Sequence, residues 1–438
     1  MSHYKPCPTY KDSGVEWIGR VPEHWEVKRL RHVATLNPSP DWRALEQQQR
    51  EYPFFPMEAI GEAGELESSG RKLLDDCRSG YTYFAEGDVA FAKVTPCFEN
   101  GKGAVLRGLD GGHGFGTTEL TVLRPTAIDR DYLYALTLAD SFRQPGASEM
   151  LGSGGLKRVP DEFTRNYRIA LPPPAEQSAI AAALDRETAR IDALIAKKTR
   201  FIELLKEKRQ ALITDAVTKG IDPNVRRKDS GVAWIGEMPE HWEVVQSRRM
   251  FSERRERARP GDLQFTASQK YGVIPQSEFM EREQRQVMLV VKGQEILKHI
   301  EPGDFLISMR SFEGGLEECT GAGSVSSAYV PLTPIKWVWN PFFRYLFKCS
   351  SYIQALQATS DLVRDGQALR FENFSKVPLP GVPPQEQRVI AAHLDRGVSR
   401  IDALAAKTER SIALLKERRS ALITAAVTGQ IDLREEAA

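Results

Sequence analysis

The sequence predicts an α+β protein with two pseudo-symmetric α/β domains, separated by two long antiparallel helices that form an intramolecular coiled coil. Two repeats support this fold class. Residues 11–27 and 228–244 are identical at 14 of 17 positions, and residues 175–222 and 385–432 are identical, without a gap, at 31 of 48. The regions between these blocks align only in patches. An internal repeat determines architecture before any motif does, so a constant block, a variable region and a second constant block occur twice.

The length of 438 residues corresponds to about two to four domains. The repeat divides the chain into four segments. We predict a first domain over residues 1–174, a central helix over 175–222, a second domain over 223–383 and a C-terminal helix over 384–438. Each variable region is long enough to bury a core of its own.

The composition is ordinary for a globular protein, with 41% hydrophobic and 27% charged residues and a mean hydropathy of −0.40. No apolar run approaches the ~20 residues of a membrane span. The first residues lack the apolar stretch of a secretory signal, so a cytoplasmic protein is expected. The five cysteines form no C-x-x-C pair, which predicts reduced thiols and no zinc site. A net charge of +1 leaves nucleic-acid binding open, because the distribution of charge matters more than the sum.

Both repeated helical segments contain a heptad-like apolar stripe. The first segment follows Leu171-Pro-Pro-Pro-Ala-Glu-Gln177, whose prolines end an incoming strand and fix the first helical turn. A single stripe of this kind must be buried. We predict that the two helices bury it against each other in an antiparallel coiled coil, and packing of each helix on its own domain is the alternative. The predicted packing residues are Leu184, Ile191, Ile195, Ile202, Leu205 and Leu212 in the first helix, and Leu394, Ile401, Ile412, Leu415 and Leu422 in the second.

The variable regions combine short strands, turns and helices. Four segments are strand-like, two of them after a Gly-Asp turn: residues 87–96, 117–125, 303–310 and 326–334. Helical stretches follow at residues 131–142 and 341–358. Both regions therefore predict α+β domains around a mainly antiparallel sheet.

Each variable region also contains a polar segment with glycine, at residues 152–158 and 364–370. Small residues beside Lys and Arg suit a loop that approaches a phosphate or a groove, and an ordinary exposed loop has the same composition. The position of both segments, before the strand that leads to a repeated helix, favours a nucleic-acid role. The candidate DNA-binding residues are Lys93, Thr95, Asn100, Lys102, Thr117, Thr118, Lys157 and Arg158 in the first region, and Gln269, Lys270, Arg310, Ser311, Ser326, Ser327, Arg364, Gln367 and Arg370 in the second.

Motifs for catalysis or cofactor binding are absent from the sequence. There is no G-x-x-x-x-G-K-[ST] phosphate loop and no G-x-G-x-x-G that opens a helix. We therefore expect no catalytic residue, no metal and no cofactor in this chain. His24 and His241 lie in the repeated Pro-Glu-His-Trp motif, but no acid or nucleophile recurs at a fixed spacing beside them. Two tryptophans within nine residues favour a hydrophobic clasp that holds the chain start against the sheet.

Several motifs together resemble the specificity subunit of prokaryotic type I restriction-modification systems, over nearly the whole chain. They are Gly14-Val-Glu-Trp-Ile-Gly19, Pro22-Glu-His-Trp25, Thr95-Pro-Cys-Phe-Glu-Asn-Gly-Lys102, Leu171–Gln177, Ile191-Asp-Ala-Leu194 and Ala211-Leu-Ile-Thr214, most of them with copies. The resemblance implies two target-recognition domains, each reading one half of a split double-stranded DNA target. It also implies that the helices set the spacer and dock two modification subunits.

The same resemblance implies how the chemistry is divided among subunits. The modification subunits would bind S-adenosylmethionine and methylate adenine, and restriction subunits would add ATP- and Mg-dependent translocation and cleavage. This chain would then be a non-catalytic subunit. Two other function classes stay open: a DNA adenine methyltransferase with its own recognition domain, and a coiled-coil scaffold without DNA binding.

The two variable regions differ within the motif at residues 95–101. In the second region the stretch becomes Met309-Arg-Ser-Phe-Glu-Gly-Gly315. Different domains suit an asymmetric bipartite target, because identical ones would favour an inverted repeat. From Leu184 to Val217 a helix rises roughly 50 Å, which exceeds the length of one DNA turn, about 34–36 Å.

Overall fold

The computed structural model describes residues 7–48, 50–67, 70–152, 155–284, 296–308, 311–359 and 369–433. These residues form two compact units. Unit 1 comprises Met1–Thr199 and Glu409–Ala438, and unit 2 comprises Arg200–Thr408. Each long helix therefore contributes one part to unit 1 and the other part to unit 2. Within the described ranges, no helix has the length and apolar character needed to cross a membrane.

Unit 1 begins with short strands that lead into the first long helix, whose residues from Arg200 onward belong to unit 2. Its elements are β1 (Tyr10–Asp12), β2 (Arg20–Pro22), β3 (Glu26–Arg29), β4 (Ala34–Leu36), α1 (Trp42–Gln48), β5 (Glu51–Phe55), β6 (Gly70–Leu73), α2 (Leu74–Cys77), β7 (Thr82–Ala85), β8 (Val89–Ala92), β9 (Gly103–Val105), β10 (His113–Gly116), β11 (Leu120–Pro125), α3 (Arg130–Leu138), α4 (Asp140–Ser148), α5 (Asp161–Asn166), β12 (Arg168–Leu171) and α6 (Pro174–Lys219). Short 3-10 turns occur at Leu30–His32, Met57–Ala59 and Asp110–Gly112.

Unit 2 follows the same plan. Its elements are β13 (Arg227–Asp229), β14 (Glu237–Pro239), β15 (Glu243–Val245), β16 (Phe251–Glu253), β17 (Phe265–Ser268), β18 (Gly272–Pro275), α7 (Gln276–Glu283), β19 (Lys298–Ile300), β20 (Phe305–Ile307), α8 (Ser311–Gly314), β21 (Glu317–Glu318), β22 (Gly323–Val325), β23 (Val330–Pro334), α9 (Asn340–Leu346), α10 (Ser350–Gln357), α11 (Phe371–Lys376), β24 (Leu379–Gly381) and α12 (Pro384–Val427), with a 3-10 turn at Ser247–Arg249.

The sheets confirm the predicted α+β class. In unit 1, an antiparallel sheet has the order β4-β11-β8-β9, and a second sheet has the order β6-β5-β10-β7, in which only β5 and β10 are parallel. In unit 2, the antiparallel sheet β16-β23-β20-β21 repeats the first of these orders. The strands that lead to the long helices pair antiparallel with the repeated N-terminal blocks, β12 with β3 and β24 with β15.

Each of the two predicted domain helices is in fact two helices. In unit 1, Ala139 adopts an extended backbone with ψ of 142° and separates α3 from α4, and in unit 2, Cys349 does the same with ψ of 132°. The threonine of the repeated Ala-Leu-Ile-Thr segment contacts each break. Thr424 Oγ1 accepts a hydrogen bond from the Asp140 N–H at 2.9 Å, and Thr214 Oγ1 lies 3.3 Å from Cys349 Sγ. Both predicted stretches are thus largely helical, and each is divided by a break at which a residue distant in the chain makes contact.

The long helices pair antiparallel, as predicted. In unit 1, Arg419 of α12 forms an ion pair with Asp192 of α6 at 3.0 Å. In unit 2, Arg209 of α6 forms one with Asp402 of α12 at 2.9 Å. The earlier of the two α6 residues thus pairs with the later α12 residue, and the later α6 residue pairs with the earlier α12 residue, which is the antiparallel arrangement.

The apolar stripe packs on both the partner helix and the domain. The main core of unit 1 contains Leu184, Ile191 and Leu422 together with domain residues such as Trp25. The main core of unit 2 contains Leu394 in the same way. Of the other predicted packing residues, Ile202, Leu205 and Ile401 are buried, and Ile195, Leu212, Ile412 and Leu415 are half-buried. Helix pairing and packing on a domain, which the sequence left as alternatives, thus occur together.

Candidate nucleic-acid interface

The scaffold of unit 1 joins its two constant blocks through the carboxylate of Glu176, in the first turn of α6. The Trp25 indole N–H donates to Glu176 Oε2 at 3.1 Å, and His24 Nε2 lies 2.9 Å from Glu176 Oε1. Trp25 is 2% exposed. A carboxylate at a helix N-terminus is also favoured by the helix dipole. We call His24, Trp25 and Glu176 the clasp of unit 1; it fastens the first constant block to the start of the long helix.

Unit 2 repeats this contact with Glu386 in the first turn of α12. The Trp242 indole N–H donates to Glu386 Oε2 at 2.9 Å, and His241 Nε2 lies 2.7 Å from Glu386 Oε1. Both histidines are thus held by a structural carboxylate. The glutamates were not singled out from the sequence, although their place in a repeated Pro-x-Glu-Gln motif was a usable signal.

A buried glutamine follows each of these glutamates. Gln177 accepts a hydrogen bond from the Asp129 N–H at 2.7 Å, and Gln387 accepts one from the Trp339 N–H at the same distance. Asp129 and Trp339 precede α3 and α9, so each glutamine ties the connection after a central strand to the start of a long helix. Together with the clasp, this contact fixes the sheet relative to the helix within each unit.

A buried aspartate stands at the entrance to each central strand. Asp88, 1% exposed, accepts two hydrogen bonds from the Arg124 guanidinium at 2.7 and 2.8 Å. Asp304, also 1% exposed, accepts two from Arg254 at 2.6 and 2.9 Å. These pairs explain the Gly-Asp turns in the sequence, because a buried carboxylate requires a fully bonded partner.

Several candidate DNA-binding residues of unit 1 lie together. Lys93 follows β8, Thr117 and Thr118 lie in the turn before β11, and Lys157 and Arg158 lie beside both. Backbone hydrogen bonds join the three segments: Lys93 N–H to Glu119 O, Val159 N–H to Lys93 O and Thr95 N–H to Lys157 O, each 2.9 Å. We call Lys93, Thr117, Thr118, Lys157 and Arg158 surface 1.

Glu119 lies beside surface 1 and contacts it, but was missed in the sequence. The Arg158 guanidinium donates two hydrogen bonds to its carboxylate, at 2.6 and 2.8 Å. This bonding lowers the pKa of Glu119 and raises that of Arg158. Arg158 is therefore oriented by a neighbour, and Lys157 and Lys93 are the surface cations better placed to neutralise a phosphate. Nothing in the local sequence pattern signals the pair, since its members are 39 residues apart.

The other candidates of unit 1 make internal contacts. Asn100 Nδ2 donates to Glu62 Oε1 at 3.0 Å, and Lys102 Nζ donates to Met57 O at 2.7 Å. Thr95 Oγ1 donates to Lys157 O at 3.3 Å. These three residues therefore stabilise the loop after β8. Asn100 is exposed, whereas Thr95 and Lys102 are half-buried.

The candidates of unit 2 fall into two places. Ser326 and Ser327 are exposed before β23, at the position of Thr117 and Thr118, and Ser327 lines a cleft with Arg370, Arg255 and Lys298. Gln269 and Lys270 lie in the turn between β17 and β18, where Lys270 Nζ is 4.7 Å from the ring centre of Tyr271.

Four further candidates of unit 2 do not lie on a described surface. Ser311 is 1% exposed, and its hydroxyl accepts a hydrogen bond from the Ser308 N–H at 2.9 Å. Arg310, Arg364 and Gln367 lie outside the described residues. Where the structure describes the chain, no group of three or more His, Cys, Asp or Glu side chains could hold a metal ion.

Sequence comparison with known proteins finds relatives that match part of this chain. No protein-family model matches the chain. The chain is 38% identical over 185 residues to the type I restriction enzyme EcoEI specificity subunit of Escherichia coli, which is 42% of this chain and 31% of that protein. It is 41% identical over 180 residues to the EcoAI specificity subunit of the same organism, or 40% of this chain and 30% of that protein. Each match thus spans less than a third of the relative.

Solved structures share the fold over almost the whole chain. A chain from a structure on complex assembly and conformational transition of the type I R-M system superimposes with a TM-score of 0.71 at 19% identity, covering 94% of this chain and 99% of its own. The HsdS subunit from Thermoanaerobacter tengcongensis gives 0.53 at 20% identity, covering 94% and 98%. The resemblance predicted from the motifs is confirmed by the sequence relatives: over the matched 180 to 185 residues, the chain is homologous to specificity subunits of type I restriction enzymes, and the solved structures add the shared fold.

Proposed function

We propose that this chain is the non-catalytic DNA-recognition subunit of a type I restriction-modification complex. Each unit would read one half of a bipartite double-stranded target. The main support is that both units have hydroxyl side chains before the equivalent strands β11 and β23, with cationic side chains from other segments beside them. Cations of this kind supply affinity for phosphates, and neighbouring polar side chains read base edges.

We further propose that the two long helices set the distance between half-sites and dock two modification subunits. The helices are continuous over 46 and 44 residues, and the repeat of their sequence supports one docking site on the helices for each of two identical partners. Partner subunits would hold S-adenosylmethionine, ATP and Mg, and restriction subunits would complete the assembly. The absence of a phosphate-loop motif from the full sequence supports this division.

The DNA-binding part is tested with the double variant Lys93→Gln/Lys157→Gln, assayed by mobility shift at several salt concentrations in the presence of the modification partner. Loss of two phosphate contacts should reduce the slope of log K against log salt by about 2. Lys228→Gln, which alters an exposed lysine in β13, is the matched control and should leave the slope unchanged. An unchanged slope in the double variant would remove surface 1 from the interface.

Assays of the isolated chain and of its DNA complex distinguish the competing function classes. A methyltransferase with its own recognition domain would bind a labelled methyl donor saturably as the isolated chain, and this result would refute the non-catalytic assignment. A scaffold would give no sequence-selective retardation. Insertion of one heptad into both helices should lengthen the spacer between half-sites and preserve their sequences, whereas an unchanged spacer would refute the proposed ruler.

A further inference from the structure

Unit 2 exposes a cluster of apolar side chains between β23 and α9. Trp337 is 72% exposed, Ile335 49% and Trp339 40%. The guanidinium of Arg388 lies 4.7 Å from the ring centre of Trp339, and Lys336 is exposed in the same segment. We call these five residues the tryptophan patch. Tryptophan and arginine that are exposed together are typical of the residues that dominate protein–protein interfaces.

Unit 1 lacks this patch at the equivalent place. The connection from β11 to α3 is one residue shorter than the connection from β23 to α9. Ile128 and Val338 are equivalent, since each is half-buried and packs on the main core of its unit. Ala127 of unit 1 is thus replaced by Lys336 and Trp337 in unit 2. The feature is an addition to one copy of the repeated fold.

The side chain of Gln387 fixes the backbone of the tryptophan patch. The buried Gln387 side chain donates to Trp337 O and accepts from the Trp339 N–H, both at 2.7 Å. Trp337 has a φ of 59°, in the left-handed region that bulky residues seldom occupy. A strained and exposed tryptophan adds nothing to the core. Fold stability therefore does not explain Trp337, whereas a preorganised binding surface does.

The position and charge of the tryptophan patch define its partner. It follows the C-terminal end of β23, whereas Ser326 and Ser327 precede the other end, about 17 Å away along five strand residues. A duplex read at those serines would lie at the opposite end of β23, so a protein is the better occupant. Within the described residues, Lys336 and Arg388 make no ion pair. The partner surface should thus present carboxylates around an apolar side chain.

We infer that the tryptophan patch is a docking surface for one modification subunit, which contacts it through an acidic rim and an inserted apolar side chain. The inference rests on the proposed function. It adds that the two modification subunits bind unequally, because only the one bound to unit 2 has this anchor. Assembly then proceeds in two steps of different affinity, although the long helices repeat their sequence.

The test is a titration of the full chain with its co-purified modification subunit, followed by native mass spectrometry. Wild type should take up one and then a second subunit. In Trp337→Gly/Trp339→Ala, one step should be unchanged and the other weakened by at least about 30-fold, the loss typical of a tryptophan hot spot. Glycine accepts a positive φ without strain, so the thermal midpoint of Trp337→Gly should not fall. Leu263→Ala, at a side chain that is 65% exposed in the same unit, is the control.

The outcomes separate this inference from the function on which it rests. If wild type and the tryptophan variant take up two modification subunits with the same affinities, the docking surface is refuted and the proposed function survives. If wild type takes up none, both fail. Lys336→Glu/Arg388→Glu should weaken the same step and steepen its dependence on salt, because complementary charge drives the encounter. Quenching of the exposed tryptophans by an oligonucleotide, with no effect on assembly, would assign the patch to DNA instead.

Discussion

The repeated clasp allows one substitution to be compared in two places of a single chain. Glu176→Ala and Glu386→Ala each remove the acceptor of a buried indole N–H, from Trp25 and Trp242. An unmade hydrogen bond on a buried donor costs about 1–3 kcal/mol, and loss of a carboxylate in a first helical turn costs about 0.3–1 kcal/mol. Both substitutions should therefore destabilise the start of a long helix.

The magnitude should differ between the two sites because their access to water differs. The side chain of Glu176 is 17% exposed and that of Glu386 is 40% exposed. Water can replace the lost carboxylate more readily at Glu386. We expect about 2–4 kcal/mol for Glu176→Ala and about 1–2 kcal/mol for Glu386→Ala, from the ranges for unmet donors and helix dipoles.

Hydrogen exchange measured by mass spectrometry can read each site separately. The exchange free energy of peptides from the first turns of α6 and α12 reports local opening, and it does not require the whole chain to unfold in one step. Glu176→Gln keeps a neutral acceptor and should cost about half as much as the alanine variant. Glu203→Ala, at an exposed helix position, is the control. A larger effect at Glu386 than at Glu176, or no effect at either, would refute the role of the clasp.

Three further predictions follow from single buried contacts. His299 is 1% exposed and hydrogen-bonds to Asp262 and Glu301. Burial alone would lower its pKa, but the hydrogen bonds to Glu301 and Asp262 together outweigh burial and raise the pKa of His299. The stability that it confers on unit 2 should therefore be complete below about pH 6.5 and should decline as pH rises through the raised pKa. A flat pH profile in wild type would contradict this, and His299→Gln should abolish the slope. Asp304→Ala removes both hydrogen-bond acceptors of the Arg254 guanidinium and leaves it the longer ion pair with Glu256 at 3.7 Å. It should lower the unfolding free energy, measured by urea titration, by up to about 3–5 kcal/mol. Thr424→Val should cost about 0.5–1.5 kcal/mol by removing the acceptor of the Asp140 N–H at the start of α4, and an unchanged thermal midpoint would refute that contribution.

The sequence predicts the long helices well because their signal is local and repeated. The apolar residues of α6 recur at helical spacing, and the same spacing returns in α12, so both elements and their antiparallel pairing follow from the pattern. The breaks between α3 and α4 and between α9 and α10 do not follow from it. They depend on Thr424 and Thr214, which lie far away in the chain.

The candidate interface was predicted only in outline. Surface 1 assembles Lys93, Thr118 and Lys157 from three segments, and their composition alone indicates polar, cationic loops. Ser311 has the same residue type as Ser326 but is buried in a turn that it helps to bond. The pairing of Glu119 with Arg158 depends on strand register, which a propensity argument does not supply.

The contacts of the long helices explain why some residues repeat and others do not. Unit 1 takes the start of α6, where Glu176 meets Trp25, and the end of α12, where Thr424 contacts the helix break. Unit 2 takes the start of α12 and the end of α6, with Glu386 and Thr214 in the same roles. Each long helix must therefore fit one unit with its first turns and the other unit with its last turns. This double requirement constrains both helices to nearly one sequence, while the residues before β11 and β23 meet no such constraint and are free to differ in the chemistry that they present.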